Sequence, residues 1–290
     1  MQDTRNGRRG LVLGGGGVTG IAWEIGVVAG LAEAGIDLAE ADLVVGTSAG
    51  SVVGAELRSE ARIEDVYEGQ LADATGEKAD RIGLGVILRL MTASLRIRHP
   101  ERGRARLGRA ALKARTEPES EWRARFERGL SSLDWPDRRL LINAVDAESG
   151  EAVAFERDSG VPLLDAVAAS CAVPLVFPPV TIAGRRYIDG GVRSLANADL
   201  ATGCDRVVVL APVTAAFRRT GRIGWQLASL GPGVRSVAVS PDPAARRAIG
   251  SNVLDPARRA AAARAGRAQA ARVAGAIAAV WATAEAPDPA

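Results

Sequence analysis

The sequence predicts an α/β protein, in which helices cover both faces of a mixed, largely parallel sheet. Two observations predict this fold. A short apolar run, a glycine-rich turn and a helical pattern follow one another in residues 11–35, and the same order returns in residues 43–57. The length of 290 residues and a hydrophobic fraction of 47% also suit a sizeable buried core.

Both glycine-rich turns lead directly into helices. Residues 11–13 form the first expected strand, and four consecutive glycines follow at 14–17. Apolar residues then recur at helical spacing until Gly35, which predicts the first helix. The second strand, residues 43–45, runs into Gly46-Thr47-Ser48-Ala49-Gly50 and then into the second helix.

The remaining chain alternates between helices and strands. Residues 60–130 have less regular helical patterns and predict a helical insertion. The elements expected after it are a hairpin over 139–156, a short helix over 162–170, a hairpin over 180–188, strands over 207–210 and 234–239, and a helix beginning at Asp255-Pro256. Asp as cap and Pro at the first position are a typical helix start.

Composition excludes several classes of protein. A charged fraction of 24% beside the hydrophobic residues excludes a disordered, collagen-like or multi-span membrane chain. The net charge of +3 is too small to imply a polyanion partner, and aromatic residues are only 4%, so no nucleic acid partner is expected. Cys171 and Cys204 cannot form a disulfide framework and are expected to be reduced packing residues.

The sequence also bears on localisation. No stretch of about 20 apolar residues is present, so no transmembrane helix is predicted. Arg5, Arg8 and Arg9 precede an uncharged run, as in an export signal, but that run is rich in glycine and is followed by Glu24. No small-residue cleavage site is well placed, so we expect a cytoplasmic protein.

The single histidine, His99, removes most hydrolase mechanisms. A Ser-His-Asp triad needs this residue or cannot exist. It precedes Pro100 in an arginine-rich segment, where a solvated loop residue is expected. Histidine-rich and Cys-x-x-Cys metal sites are excluded too, so no metal is expected. The chemistry must therefore come from carboxylates, hydroxyls and backbone groups.

Residues 46–50 have the pattern Gly-x-Ser-x-Gly between an expected strand and an expected helix. In this context Ser48 would lie on a sharp turn, with its hydroxyl exposed beside a helix N-terminus, as a nucleophile requires. Gly46 and Gly50 would let backbone and helix pass without a clash. The alternative is that Ser48 only caps the helix.

The first glycine-rich turn has three interpretations. Gly15, Gly16 and Gly17 could present backbone N–H groups to a developing negative charge, as in an oxyanion hole. The spacing Gly15-x-Gly17-x-x-Gly20 also fits the dinucleotide fingerprint, but that site needs an acidic residue at the end of the second strand. Here that strand ends in Gly46-Thr47-Ser48. The third interpretation is a purely structural turn.

Asp189 closes the last strand of the second hairpin and is followed by Gly190 and Gly191. A carboxylate there, with two glycines that give access, could act as the base for a serine. Taken alone, Asp-Gly is usually a turn signal.

Together these motifs resemble the patatin-like phospholipases. The shared features are the glycine-rich loop, the Gly-x-Ser-x-Gly and Asp-Gly-Gly in this order, with residues 169–174 and 177–180 just before the last of them. The resemblance implies a three-layer α/β/α sandwich with a mainly parallel sheet. It assigns residues 9–202 to the catalytic domain and leaves 203–290 to complete the same fold.

The resemblance also implies a serine-dependent lipid acyl hydrolase that forms an acyl-enzyme and needs no cofactor. Ser48 is then the nucleophile, Asp189 the general base, and Gly15–Gly17 hold the oxyanion. The substrate is a phospholipid, a lysophospholipid or another carboxylic ester. The alternatives are a nicotinamide-dependent reductase and a catalytically silent lipid-binding protein.

One position departs from the family. Thr19, before Gly20, stands where the family usually has Arg or Lys. If the positive charge matters, turnover should be slower or the preferred substrate different. If only backbone amides contact the oxyanion, the change should matter little.

The insertion suggests a membrane surface as a further partner. Residues 89–128 have a local charge of +7, and an apolar helical stripe lies beside the arginines. The stripe consists of Ile82, Val86, Leu90, Ser94 and Leu95. Such a helix can rest peripherally on an anionic bilayer. The alternative is an ordinary helical cap packed on the sheet. The oligomeric state is not predicted.

Overall fold

The computed structural model describes residues 7–72, 80, 99–216 and 218–282. Within these residues eight strands form one mixed sheet, in the order β5-β6-β3-β2-β1-β7-β8, with β4 paired to β3. The strands are β1 (Arg9–Leu13), β2 (Leu43–Thr47), β3 (Leu140–Asp146), β4 (Ala152–Phe155), β5 (Val180–Ile182), β6 (Arg185–Asp189), β7 (Arg206–Leu210) and β8 (Arg235–Val239).

The helices of the described residues alternate with these strands. They are α1 (Gly17–Glu33), α2 (Ala49–Arg58), α3 (Ile63–Leu71), α4 (Pro100–Leu112), α5 (Glu119–Gly129), α6 (Leu163–Ser170), α7 (Ile223–Ser229), α8 (Pro243–Ile249) and α9 (Arg259–Trp281). Helices α3, α4 and α5 belong to the predicted insertion. The apolar stripe from Ile82 to Leu95 lies outside the described residues.

Five strands of the sheet run parallel, and the rest are antiparallel. The strands β3, β2, β1, β7 and β8 pair in parallel. The pairs β3–β4, β3–β6 and β5–β6 are antiparallel, and β3–β4 and β5–β6 are the two predicted hairpins. Crossover helices on both faces are what parallel pairing requires. The predicted α/β fold with a mainly parallel sheet is therefore confirmed.

Alternating residues divide the strands between two faces. On one face Leu11, Leu13 and Val44 pack in a large core with helices α1, α2, α3, α6 and α9. On the other face Val12 and Val45 pack with the segment 196–204 and helix α7. Helix α4 covers that second face beside β3 and β6. These layers form the α/β/α sandwich, because period-two side chains supply apolar contacts to both sides.

One edge of β3 brings two strand ends together. Strand β2 pairs in parallel with β3 as far as the Thr47–Asn143 pair. Strand β6 pairs with the next part of β3 in the opposite direction and ends at the Ala144–Asp189 pair. The carboxyl ends of β2 and β6 therefore meet head to head.

Two short helices, α7 and α8, were not predicted. The last helix, α9, begins at Arg259 and not at the predicted Asp255-Pro256. Helix α8 begins with Asp242-Pro243, the same signal as Asp255-Pro256, and Asp242 accepts the N–H of Ala245 at 2.8 Å. Asp255 caps only a 3₁₀ turn, Pro256–Arg258, which leads into α9. Helix α7 has seven residues, too few for its spacing to stand out in the sequence.

Candidate active site

Ser48 lies on the sharp turn between β2 and α2. Its backbone has φ +50° and ψ −118°, a combination that L-residues seldom adopt. The turn is held by its neighbours, since the Ser48 N–H donates to Ser170 Oγ at 2.9 Å and its carbonyl accepts from Ser51 Oγ at 2.6 Å. The following helix directs its positive end toward this residue.

The two glycines of the Gly-x-Ser-x-Gly pattern are needed for close approach. A Cβ on Gly50 would overlap the carbonyl of Leu13, and one on Gly46 would overlap the backbone of Ser51. The Gly50 N–H also donates to the carbonyl of Gly14 at 3.0 Å, which joins the serine turn to the glycine-rich loop.

The structure brings Ser48 and Asp189 into direct contact. Ser48 Oγ donates to Asp189 Oδ2 at 2.7 Å, and the other carboxylate oxygen accepts the N–H of Gly191 at 2.6 Å. Only 8% of Ser48 and 5% of Asp189 are exposed, so the pair is shielded from bulk water. A serine hydroxyl and a carboxylate at this distance can exchange a proton.

Burial changes the acidity of the carboxylate. Loss of solvation raises the pKa of Asp189 to about 7, although its hydrogen bonds from Ser48 and Gly191 act in the opposite direction. An ordinary aspartate, with a pKa of about 3.9, is a weak base. Asp189 is therefore much better matched to proton abstraction near neutral pH than an exposed carboxylate.

The glycine-rich loop offers fewer free amides than the sequence suggested. The Gly15 N–H already donates to the carbonyl of Leu195 at 2.7 Å. Gly16 precedes α1 and Gly17 is its first residue, and among the described residues neither amide has an acceptor. Both line the same cavity as Ser48. These two N–H groups at a helix N-terminus are suited to a negative oxygen.

Thr19 points away from this site. It is fully buried and does not line the cavity. Its N–H donates to the carbonyl of Val253 at 3.1 Å, and its hydroxyl donates to the same oxygen at 3.3 Å. The threonine thus connects α1 to the loop before α9. We therefore assign Thr19 a structural role and no part in stabilising the charge of the oxyanion.

Glu24, to which the sequence assigned no role in the site, lies in α1 and supports the glycine-rich loop. Its carboxyl is fully buried and accepts the N–H of Gly14 at 2.9 Å through Oε1. The second oxygen, Oε2, has no partner among the described residues. Burial raises the pKa of Glu24 well above its ordinary value, so folding favours the neutral acid.

Glu24→Gln should make stability less sensitive to pH. Above the unfolded pKa of about 4.3, the unfolded chain loses a proton that folded Glu24 keeps. Wild-type stability therefore falls as pH rises through that window, and glutamine removes this loss. Melting temperatures at pH 5 and pH 8 should show the variant gaining relative to wild type. The control Glu60→Gln, at an exposed position, should keep the wild-type slope, and identical slopes for Glu24→Gln would contradict the assignment.

A buried amide network holds the strand ends that carry the two residues. Asn143 Nδ2 donates to the carbonyl of Gly46 at 2.9 Å and to Thr47 Oγ1 at 2.8 Å. Asn197 Nδ2 donates to Asn143 Oδ1 at 2.9 Å. Sequence reasoning missed these asparagines, because only the folded topology pairs the strands of both motifs with the same edge of β3.

A cavity of about 860 Å³ opens onto Ser48 and Asp189. One part of its lining is aromatic, with Trp122 stacked on Phe177 at 4.0 Å between ring centroids and edge-on to Phe126 at 4.9 Å. Two of these rings come from α5, so the insertion builds part of the cavity. The lining also includes charged residues, so a cavity of this size suits a ligand with an apolar part and a polar part.

His99 and Cys204 lie outside this arrangement, and Cys171 contributes to it only as a neutral thiol in the cavity lining. His99 is exposed, with Nδ1 3.2 Å from Glu101, and it does not line the cavity. Cys171 and Cys204 are free and buried, as predicted. Cys171 does line the cavity, with Sγ 3.6 Å from Ser51 Oγ, but burial raises the pKa of its thiol and keeps it protonated.

Among the described residues, no helix has the length and apolar content needed to cross a bilayer.

Comparison with known proteins identifies a matching family and two similar structures. The sequence model described as patatin-like phospholipase matches residues 11–202. No curated protein matches the chain. Two solved structures are similar in fold. VipD from Legionella pneumophila has 14% identity and a TM-score of 0.47, with 94% of this chain and 67% of that chain covered. The type III effector protein ExoU has 16% identity and a TM-score of 0.41, with 93% of this chain covered, but this chain spans only 53% of its length.

Proposed function

Because the chain belongs to the patatin-like phospholipase family, we propose that it is a lipid acyl hydrolase with Ser48 as nucleophile and Asp189 as general base. The observation that carries this proposal is the 2.7 Å hydrogen bond from Ser48 Oγ to Asp189, inside a largely apolar cavity. The family assignment argues against the reductase interpretation of the glycine-rich loop. In addition, a dinucleotide site needs an acidic residue at the end of the second strand, and here β2 leads into Ser48.

In the first half of the reaction, Ser48 Oγ attacks the ester carbonyl while Asp189 takes its proton. The carbonyl oxygen becomes negative and accepts hydrogen bonds from the amides of Gly16 and Gly17. The tetrahedral intermediate then expels the alcohol, which receives the proton from Asp189. An acyl group remains on Ser48.

In the second half, Asp189 removes a proton from water, which attacks the acyl carbonyl. The same amides hold the oxyanion, and Ser48 leaves with the proton from Asp189. No other base is required, since Asp189 acts in both halves. Its raised pKa and shielded position support this double role.

A fluorophosphonate probe tests the proposal directly. It should react with one serine, and mass-spectrometric mapping should place the adduct on the peptide that contains Ser48. Turnover of a short-chain ester is measured on the same protein. A folded protein that neither reacts with the probe nor hydrolyses esters would favour a silent lipid-binding protein.

We further propose that the cavity mouth makes peripheral contact with anionic membranes. Trp225 is 40% exposed and lines the cavity, and the neighbouring Arg219 and Arg222 are exposed. An aromatic ring flanked by arginines suits the interface of an anionic bilayer. The arginines at 89, 96 and 98, from which the sequence suggested this contact, lie outside the described residues.

Trp225→Ala should weaken vesicle binding. Wild type should co-sediment with anionic vesicles at low salt and much less at high salt, because the arginine contribution is screened. The variant should bind less under the same conditions. Leu133→Ala is the matched control, since Leu133 is 42% exposed and does not line the cavity. Equal binding of wild type to neutral and anionic vesicles would contradict the proposal.

A further inference from the structure

Four arginines line the cavity that holds Ser48 and Asp189. One of them, Arg125, is paired with Glu117 and Asp80, and the other three lie on different segments of the chain. Arg104 comes from α4, Arg193 follows the Asp189-Gly190-Gly191 turn, and Arg218 lies shortly before α7. All three side chains are half-buried. The function proposed above gives none of them a role.

The fold brings the chain segments that carry Arg104 and Arg193 together. Arg104 Nε donates to the carbonyl of Gly150 at 2.6 Å, which fixes its stem against the β3–β4 turn. Next to Arg193, Val192 packs against the small apolar cluster that includes Ala111 of the same helix α4. Arg193 itself is oriented by Asn197 and by a two-point ion pair with Asp199.

The segment with Arg218 lies against the segment with Arg193. Ser194, the residue after Arg193, donates from Oγ to the carbonyl of Gly221 at 3.5 Å. The 3₁₀ turn Arg219–Gly221 links this contact to Arg218. The chain segments that carry these two arginines are therefore neighbours in the fold, and both arginines line the cavity.

The positive charge of Arg104 has little compensation in this arrangement. Arg193 is paired with Asp199, but among the described residues no carboxylate lies within 4 Å of the Arg104 guanidinium. Burial lowers the pKa of Arg104, and the positive charges of Arg193 and Arg218 lower it further, while the negative charge of Glu101 acts in the opposite direction. Like charges gathered beside a reaction centre, on backbone and ion-pair supports, indicate a site that an anionic group would stabilise.

We propose that Arg104, Arg193 and Arg218 form an anion subsite that binds a phosphate group on the alcohol half of the substrate. This inference rests on the function proposed above. Guanidinium groups bind phosphate oxygens through paired N–H donors, which favours phosphate over a neutral hydroxyl. The ester carbonyl then lies at Ser48 and the acyl chain lies toward the aromatic wall.

Selectivity between two matched lipids tests the subsite. The substrates are 1-oleoylglycerol and 1-oleoylglycerol 3-phosphate in neutral detergent micelles, and the measured quantity is the ratio of their kcat/KM values. Wild type should favour the phosphate lipid by about tenfold or more, and Arg104→Gln should remove most of that preference. Arg106→Gln, at an exposed position on the same helix, should keep it. An unchanged ratio in a folded Arg104→Gln protein overturns the proposal.

Two further variants separate charge from folding. Arg104→Lys should retain part of the preference, because it keeps a positive charge but lacks the two-point donor. Arg218→Gln should lower the ratio without touching the Arg104–Gly150 contact. If neither Arg104→Gln nor Arg218→Gln changes the ratio, the arginine cluster does not recognise the phosphate group of the substrate.

A binding measurement keeps this inference separate from the catalytic proposal. Calorimetry with the Ser48→Ala protein should detect binding of dodecyl phosphate. The double variant that also carries Arg104→Gln should lose this binding. Arg104-dependent binding, together with a wild-type protein that hydrolyses no ester, would support the subsite and contradict the hydrolase. Inorganic phosphate that binds as tightly as dodecyl phosphate would indicate a free-phosphate site and overturn recognition of the lipid.

Discussion

Ser48→Ala is expected to abolish ester hydrolysis and fluorophosphonate labelling while the chain stays folded. Removing a nucleophile of this kind lowers kcat by about 10⁴-fold or more. The alanine keeps the backbone turn, since the bonds from its N–H to Ser170 and from Ser51 to its carbonyl involve no side-chain atom of residue 48. Circular dichroism and a melting curve check the fold.

The exposed Ser236 provides the matched control. Ser236→Ala should keep wild-type turnover and labelling, because this side chain lies on β8 and does not line the cavity. Full activity in a folded Ser48→Ala protein would eliminate the proposed mechanism.

Comparison of Ser48→Gly with Ser48→Ala isolates the strain at the turn. Both variants lack the hydroxyl, but only glycine adopts a φ of +50° without cost to a Cβ. We expect the glycine variant to be more stable than the alanine variant by about 1 kcal/mol. Denaturant unfolding measures this difference, and a less stable glycine variant would argue against stored strain.

Asp189→Asn is expected to reduce activity almost as far as Ser48→Ala. Asparagine preserves the size of the side chain but cannot accept the serine proton, and no histidine lines the cavity to replace it. The measurement is kcat/KM for a short-chain ester. His99→Ala should retain the wild-type rate, and a collapse of activity in that variant would instead indicate a triad.

The pH profile of wild type should reflect the buried carboxylate. Asp189 acts as a base only when deprotonated, and its pKa is raised to about 7. Turnover should therefore rise from pH 5 to pH 8 and level off above the pKa of the free enzyme. A profile already flat above pH 5 would mean that the working base has an ordinary carboxylate pKa.

The local signals in the sequence were sufficient for the fold class, and they marked Ser48 and Asp189 as candidates for the two residues that we propose react. Apolar runs and glycine turns predicted the strands around Ser48, and Asp-Gly-Gly placed Asp189 at the end of a strand. The reason is that each signal is local, since strand periodicity, turn glycines and helix starts depend on neighbouring residues. The family resemblance then linked two motifs that are 141 positions apart.

Tertiary structure alone decided how these parts cooperate. Strands β2 and β6 end on the same edge of β3, so Ser48 meets Asp189 only after distant pairing. Burial raises the pKa of Asp189, and burial is a property of the packed chain. The same packing directs Thr19 to the carbonyl of Val253 and the Gly15 N–H to the carbonyl of Leu195. These acceptors lie on distant segments of the chain, so the sequence alone does not show that the two groups are already hydrogen-bonded.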